Sequence, residues 1–191
     1  MSAVMDATEE RALPGQPDIW MLVAFEVLVF SSYFVVYMLY RSWDPALFLE
    51  SQQHLSQNFG ALNTVILLVS SWLAAQGVQA AREGRYEAAQ KLVLGTMSCG
   101  LLFVASKLLE WSLKIDAGFT FSSNRFFSFY YFLTGIHVIH VLFGFVFLSV
   151  VLWQLCSPQR RSQAVIEAGA IFWHMVDFLW VIIFALLYVM R

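Results

Sequence analysis

Seven ionisable side chains, Glu26, Lys107, Glu110, His137, His140, His174 and Asp177, interrupt stretches of sequence that are otherwise almost wholly apolar. Imidazoles and carboxylates are the groups that carry protons near neutral pH and ligate metals. A charge in hydrocarbon costs at least a few kcal/mol, so each must face protein or water and find a partner there. Their spacing narrows the chemistry. Lys107 and Glu110 are three residues apart, as are His137 and His140, and His174 and Asp177, so on a helix each pair shares one face. The Lys107 and Glu110 spacing predicts a local ion pair that lowers the cost of both charges. An aspartate beside an imidazole can fix its tautomer, for catalysis, for metal binding or for structure alone.

The same residues test the metal readings. Two axial ligands of one haem must approach from opposite sides, so His137 and His140 on one helix cannot both serve, whereas either could pair with His174. A di-iron centre would need more carboxylates and Glu-x-x-His pairs in one layer, and this chain offers HxxH and HxxD. Spacing alone ranks structural hydrogen bonding first, proton handling second and metal or haem binding third. His54 lies in a polar linker and reads as solvated. The two cysteines, Cys99 and Cys156, give no disulfide framework and no thiolate metal site, and are expected to be packing residues.

The elements that must position these groups follow from composition. The chain is 60% hydrophobic and 13% charged, where soluble domains carry about a quarter charged residues. A span of the hydrocarbon core takes roughly 20 apolar residues. Five segments meet that length, at about 19–40, 60–81, 92–113, 127–154 and 168–190. Backbone groups in lipid must be satisfied internally and barrel alternation is absent, so the expected fold is an all-α integral membrane bundle of five transmembrane helices. Residues 1–18 form a polar, acidic tail with Asp6, Glu9, Glu10 and Asp18, and residues 19–190 form the membrane domain. The tail lacks the basic region of a cleaved signal, so the first apolar stretch is expected to stay as a helix.

Pro17 and Asp18 signal the start of the first helix, with Asp18 as its N-cap. A linker at 42–58 has room for a short surface helix, and the link between the third and fourth spans is turn-rich. Six basic residues, Arg11, Arg82, Arg85, Lys91, Arg160 and Arg161, flank one side of the spans and four, Arg41, Lys114, Arg125 and Arg191, the other. That bias orients the N-terminus inside and the C-terminus outside. From the helix rise, Glu26 lies about 10 Å into the membrane and His140 and His174 lie at similar depth, so Glu26, His140, His174 and Asp177 are predicted to share one polar layer. Gly95, Gly100, Gly135 and Gly144 are predicted to let helices approach closely. Trp20, Trp43, Trp111 and Trp153 fit interfacial belts. No repeat and no Gly-rich phosphate loop is visible, and no nucleic-acid partner is expected.

Five ordered motifs add a resemblance. Glu167-Ala-Gly-Ala-Ile-Phe-Trp-His174-Met-Val-Asp177-Phe-Leu-Trp180 resembles the last-helix signature of the haem-copper oxidase subunit III family, the cytochrome c oxidase subunit III family. Phe25-Glu26-Val-Leu-Val-Phe30 is similar to the helix bearing that family's carbodiimide-reactive glutamate. Asn63-Thr64-Val-Ile-Leu-Leu-Val-Ser-Ser71, Glu110-Trp111 and Thr134-Gly-Ile-His137-Val-Ile-His140-Val-Leu-Phe-Gly144 are similar to further family motifs in the same order. The resemblance covers residues 17–190. Full-length members have seven helices, and this chain starts at the equivalent of the third. Lys107 departs from the uncharged residue expected there, and with the short linkers resembles the NorE-like branch associated with nitric oxide reductase.

The resemblance implies a non-catalytic subunit in a bacterial inner membrane, supporting the stability, lipid binding and proton or dioxygen access of a separate subunit I. That subunit, of a cytochrome c oxidase or alternatively a nitric oxide reductase, carries the haem and copper. The resemblance implies no catalytic, cofactor or metal residue in this chain and a phospholipid in a V-shaped helix cleft. Glu26 faces that cleft; Glu110, His137, His140, His174 and Asp177 are carried over as family positions of mainly structural role. A haem-binding electron carrier is the alternative from another class.

Overall fold

In the computed structural model, which describes Gly15 and residues 17–190, the order of elements is α1 (Pro17–Trp43), α2 (Pro45–Gln53), α3 (Gln57–Arg82), α4 (Tyr86–Asp116), α5 (Arg125–Cys156) and α6 (Gln163–Phe184). A π-helical turn, Ala185–Val189, continues α6. Among the described residues, five helices are long and apolar enough to cross a membrane: α1, α3, α4, α5, and α6 with its π-helical end. Most of the predicted polar tail, with Asp6, Glu9, Glu10 and Arg11, lies outside the described residues, as does Arg191. Asp18 sits inside the first turn of α1, not at its N-cap.

The helices overrun the predicted spans. At 31 residues, α4 is about 46 Å long, against a hydrocarbon thickness of about 30 Å. Its ends therefore carry Glu87 and Lys91 at one side and Lys114 at the other, where charge is cheap. The linker after α1 contains α2, opened by Asp44, whose carboxylate accepts from the Leu47 amide at 3.3 Å, with Pro45 in the first turn. Asn124 caps α5 in the same way, accepting from the Phe127 amide at 3.0 Å.

Helices α3, α4, α5 and α6 form a closed ring, each touching its neighbours, and α3 also packs on α6. The buried positions explain this arrangement. In α3 they fall at Gly60, Asn63, Leu67, Ser70, Ala74 and Gly77, and in α4 at Val93, Thr96, Gly100, Phe103, Lys107 and Glu110. Steps alternating between three and four residues keep one seam facing a partner, as in left-handed coiled coils. Half of these positions, Gly60, Ser70, Ala74, Gly77, Thr96 and Gly100, are small or hydroxylated, which permits the close approach that drives helix association in lipid. Ser70 Oγ donates to the Thr96 carbonyl across the seam at 3.1 Å.

Trp173 of α6 locks the centre of the ring. Added Cβ atoms at Gly100 and Gly144 would fall 2.8 Å and 2.7 Å from its indole ring, so the ring is gripped between α4 and α5. Its Nε1 donates to Ser70 Oγ of α3 at 2.9 Å. One side chain thereby registers all four helices. Gly135 meets nothing within 4 Å and plays no such part. Cys156 is exposed, so the packing role expected for it fails, whereas Cys99 is half-buried.

Outside the ring, α1 leans on α6 and α2, and on α5 through rings: Tyr33 on Phe132 at 5.3 Å and Tyr37 on Phe129 at 5.7 Å. Its remaining surface, including Phe25, Leu28, Val35 and Leu39, is exposed. At one end of the bundle the α3–α4 and α5–α6 loops meet the start of α1. There Glu167 accepts from Arg82 Nη2 at 2.8 Å and from the Gly15 amide at 2.9 Å. In the α3–α4 loop, hydrogen bonds from Gln79 and then Arg85 hold the Glu83 carboxyl below its usual range.

At the other end, carbonyls in the closing π-helical turn have no intrahelical partner, as in the last turn of any helix. Side chains from three helices collect them. Tyr37 of α1 donates to the Leu186 carbonyl at 3.1 Å, Gln52 of α2 to Leu186 and Leu187, each at 3.1 Å, and Gln57 of α3 to Tyr188 at 2.9 Å. Lys114 Nζ donates to the His54 carbonyl, and the exposed His54 ring lies 4.5 Å from Phe119.

Candidate functional site

The ionisable groups separate into three clusters. The first lies inside the ring toward the π-helical end. Lys107 Nζ donates to Glu110 Oε2 at 2.9 Å, and the two side chains are 0% and 1% exposed. The other ammonium protons have acceptors in Tyr188 Oη at 3.1 Å and Tyr130 Oη at 3.3 Å. Tyr188 Oη donates in turn to Glu110 Oε1 at 2.8 Å. The ammonium also lies over four rings, with centroids at 4.7 Å for Tyr130, 5.4 Å for Trp180, 5.8 Å for Tyr188 and 5.9 Å for Trp111. A cation desolvated to this degree is held by its counter-ion, two phenol oxygens and the ring quadrupoles together. Trp111, expected in an interfacial belt, is half-buried against this cluster and donates to Thr134 Oγ1 at 3.3 Å.

The second cluster joins α1 to α5. His140 Nε2 lies 3.1 Å from Glu26 Oε2, and its Nδ1 lies 2.9 Å from the Ile136 carbonyl. A carbonyl only accepts, so Nδ1 carries a proton. A single further proton is then shared between Nε2 and Oε2, either as imidazolium with carboxylate or as neutral imidazole with carboxylic acid. Phe30 shields the imidazole edge-on at 5.0 Å. The pair is 16% and 18% exposed, so it is only partly sealed from the surroundings of the bundle.

The third cluster lies between α3 and α6. Ser71 Oγ and His174 Nδ1 are 2.6 Å apart. Asp177 is 4% exposed, and neither carboxylate oxygen has a hydrogen-bond partner. The expected coupling of Asp177 to the His174 tautomer is therefore replaced by a serine from the neighbouring helix. The single predicted layer is divided too: Glu26 and His140 are bonded to each other, while His174 turns to α3. His137 is fully buried, with both ring nitrogens unpartnered, and is walled by Phe103 at 5.4 Å and Trp180 at 5.3 Å. Among the described residues, no cluster of three His, Cys, Asp or Glu groups has metal-binding geometry.

Sequence reasoning missed Tyr130, Tyr188, Ser71 and the four-helix role of Trp173. Tyrosines in a chain rich in aromatics give no separate signal. Ser71 and Thr64 did carry one, because a hydroxyl on the buried side of a membrane helix needs an acceptor.

Fold and site together define a polytopic α-helical subunit whose intramembrane charges are tied within and between helices. The family model for cytochrome c oxidase subunit III matches residues 17–191. The chain is similar to cytochrome c oxidase subunit 3 of Synechocystis, at 34% identity over 185 residues, covering 92% of this chain and 78% of that one. It is also similar to quinol oxidase subunit 3 of Bacillus subtilis, at 26% identity, covering 99% and 93%. A third relative is the heme-copper oxidase subunit I+III of Aeropyrum pernix, at 28% identity, covering 88% of this chain and 22% of that longer one. The chain belongs to the cytochrome c oxidase subunit III family, whose members are non-catalytic subunits of haem-copper oxidase complexes.

Proposed function

We propose that this chain packs against the haem- and copper-bearing subunit I of a bacterial respiratory oxidase, in the inner membrane, and prolongs the working life of that subunit. The reading places the N-terminus inside and the C-terminus outside, and a phospholipid in the helix cleft that Glu26 faces. The observation that carries it is the Glu26 and His140 pair, a one-proton carrier at the edge of the bundle on a helix whose outer face is bare. The fusion of subunits I and III in one relative supports the same partner. The haem and copper belong to subunit I in this reading. Its support within the chain is that the three intramembrane imidazoles serve three different surroundings, α1, α3 and an aromatic wall.

A second reading is an accessory subunit of a nitric oxide reductase, supported by Lys107 and the short linkers, which resemble the branch associated with that enzyme. The named relatives favour the oxidase. For either partner, Glu26→Gln removes the carboxylate yet keeps the shape. The expected result is an initial turnover equal to wild type and a lifetime under turnover shortened severalfold. Progress curves of the purified complex at matched yield measure both, and an unchanged lifetime would remove Glu26 from the account.

A further inference from the structure

A groove between α3 and α6 begins at the loop end of the bundle, where Gln79, Arg82 and Glu167 line a cavity of about 200 Å³ whose deepest polar wall is His174. His174 also walls a second cavity of about 200 Å³, shared with Thr64, Ser71 and Asp177. The imidazole thus lines both cavities. Liquid water takes about 30 Å³ per molecule, and a buried water needs two to four polar partners. Each cavity has the volume for a few waters, and the Ser71 hydroxyl, the His174 ring and the Asp177 carboxyl supply partners.

Asp177 supplies the independent observation. Its side chain is buried, both oxygens lack a hydrogen-bond partner, and it lines the inner cavity. A bare carboxylate in such surroundings is expensive unless it is neutralised or hydrated. The surrounding elements provide no cation for it. From α3 it meets Ser71 and Thr64, from α4 Cys99 is within electrostatic reach, and on α6 His174 is bonded to Ser71. Lys107 is taken by Glu110, and Arg82 by Glu167. The lateral rim of the inner cavity, Leu68, Phe178 and Val181, is apolar, so hydrocarbon offers no polar route.

We propose that the α3/α6 groove is a hydrated path that carries protons from the Arg82 and Glu167 end to Asp177, which binds one. The ligand is water and its excess proton: hydronium gives its proton to the carboxylate, leaving water and the carboxylic acid, with His174 and Ser71 ordering the water between. This site is separate from the Glu26 and His140 pair and does not depend on which catalytic partner the subunit joins.

Infrared hydrogen–deuterium exchange on the full chain in lipid nanodiscs tests it. At neutral pH one protonated-carboxyl C=O band is expected to vanish in Asp177→Asn and to persist in Glu26→Gln. On transfer to D2O that band should shift, and Ala75→Phe, which fills the outer cavity, should slow the shift at least tenfold. Loss of no band in Asp177→Asn, or exchange in Ala75→Phe at the wild-type rate, would overturn the proposal. Should Asp177→Asn not fold, Ser71→Cys in a chain lacking Cys99 and Cys156 gives a second readout. A small charged thiol reagent should modify it, Ala75→Phe should block the reaction, and absence of modification without the plug also overturns the proposal. Neither failure would touch the subunit III assignment.

Discussion

Changing Lys107 to Ala should destabilise the bundle by about 3–5 kcal/mol, the range for breaking a buried ion pair by removing one partner. The loss has a specific origin. Glu110 would keep the Tyr188 hydroxyl at 2.8 Å but lose its counter-ion at 2.9 Å, in a site where its side chain is 1% exposed. Glu110→Ala should be comparably severe, because the ammonium would then rest on two phenol oxygens and four rings alone. The informative variant is the double one. Lys107→Met with Glu110→Gln removes both charges while retaining volume, and should recover most of the loss, since a neutral pair of similar size avoids desolvating ions. Unfolding of wild type, Lys107→Met, Glu110→Gln and the double variant in mixed detergent micelles, followed by tryptophan fluorescence, gives the four corners of the cycle. Additive losses in the double variant would mean that the two residues act independently, against the geometry.

Trp173→Ala should cost a similar amount, about 3–5 kcal/mol by the precedent of large-to-small core changes. Helices in lipid gain little from hiding apolar surface, so shape must do what the hydrophobic effect does in water. Trp173 fills the space between Gly100 and Gly144 and satisfies Ser70, so its removal leaves a void and a lost hydrogen bond at once. The reverse perturbation should also register. A methyl at Gly144 would fall 2.7 Å from the indole, which also lies so close to Gly100 of α4 that a Cβ added there would be 2.8 Å from it, leaving little room to shift. Gly144→Ala is therefore expected to cost about 1–3 kcal/mol by overpacking. Gly135→Ala, with nothing within 4 Å, should stay within about 0.5 kcal/mol. The same unfolding measurement ranks them, and equal effects at Gly135 and Gly144 would contradict the grip on Trp173.

Length and apolarity made five spans legible in the sequence because lipid allows few other solutions. Three-residue spacing likewise placed Lys107 beside Glu110, since that contact lies within one helix. What spacing could not supply was rotation about each helix axis. His174 and Asp177 share a face by their numbers, yet the imidazole turns to Ser71, a residue of another helix 103 positions away in sequence. Helix rise assigns Glu26, His140, His174 and Asp177 similar depths, but depth says nothing about which side of a helix a group occupies. The glycines divide for the same reason: Gly100 and Gly144 face Trp173 and permit its close approach, while Gly135 faces open space. The π-helical end of α6 had no visible signal, because the residues that collect its carbonyls, Tyr37, Gln52 and Gln57, lie on three other helices.

Purification through a tag on this chain in mild detergent, with mass spectrometry and an optical spectrum of what accompanies it, tests the central claim most directly. The account predicts co-purification of a haem- and copper-bearing subunit I with its haem spectrum, and a colourless tagged chain once that partner is stripped away. Recovery of the chain alone, under conditions that hold such complexes together, would contradict stable membership. A haem band that stays with the isolated chain and is lost in His174→Ala would contradict the placement of haem in the partner.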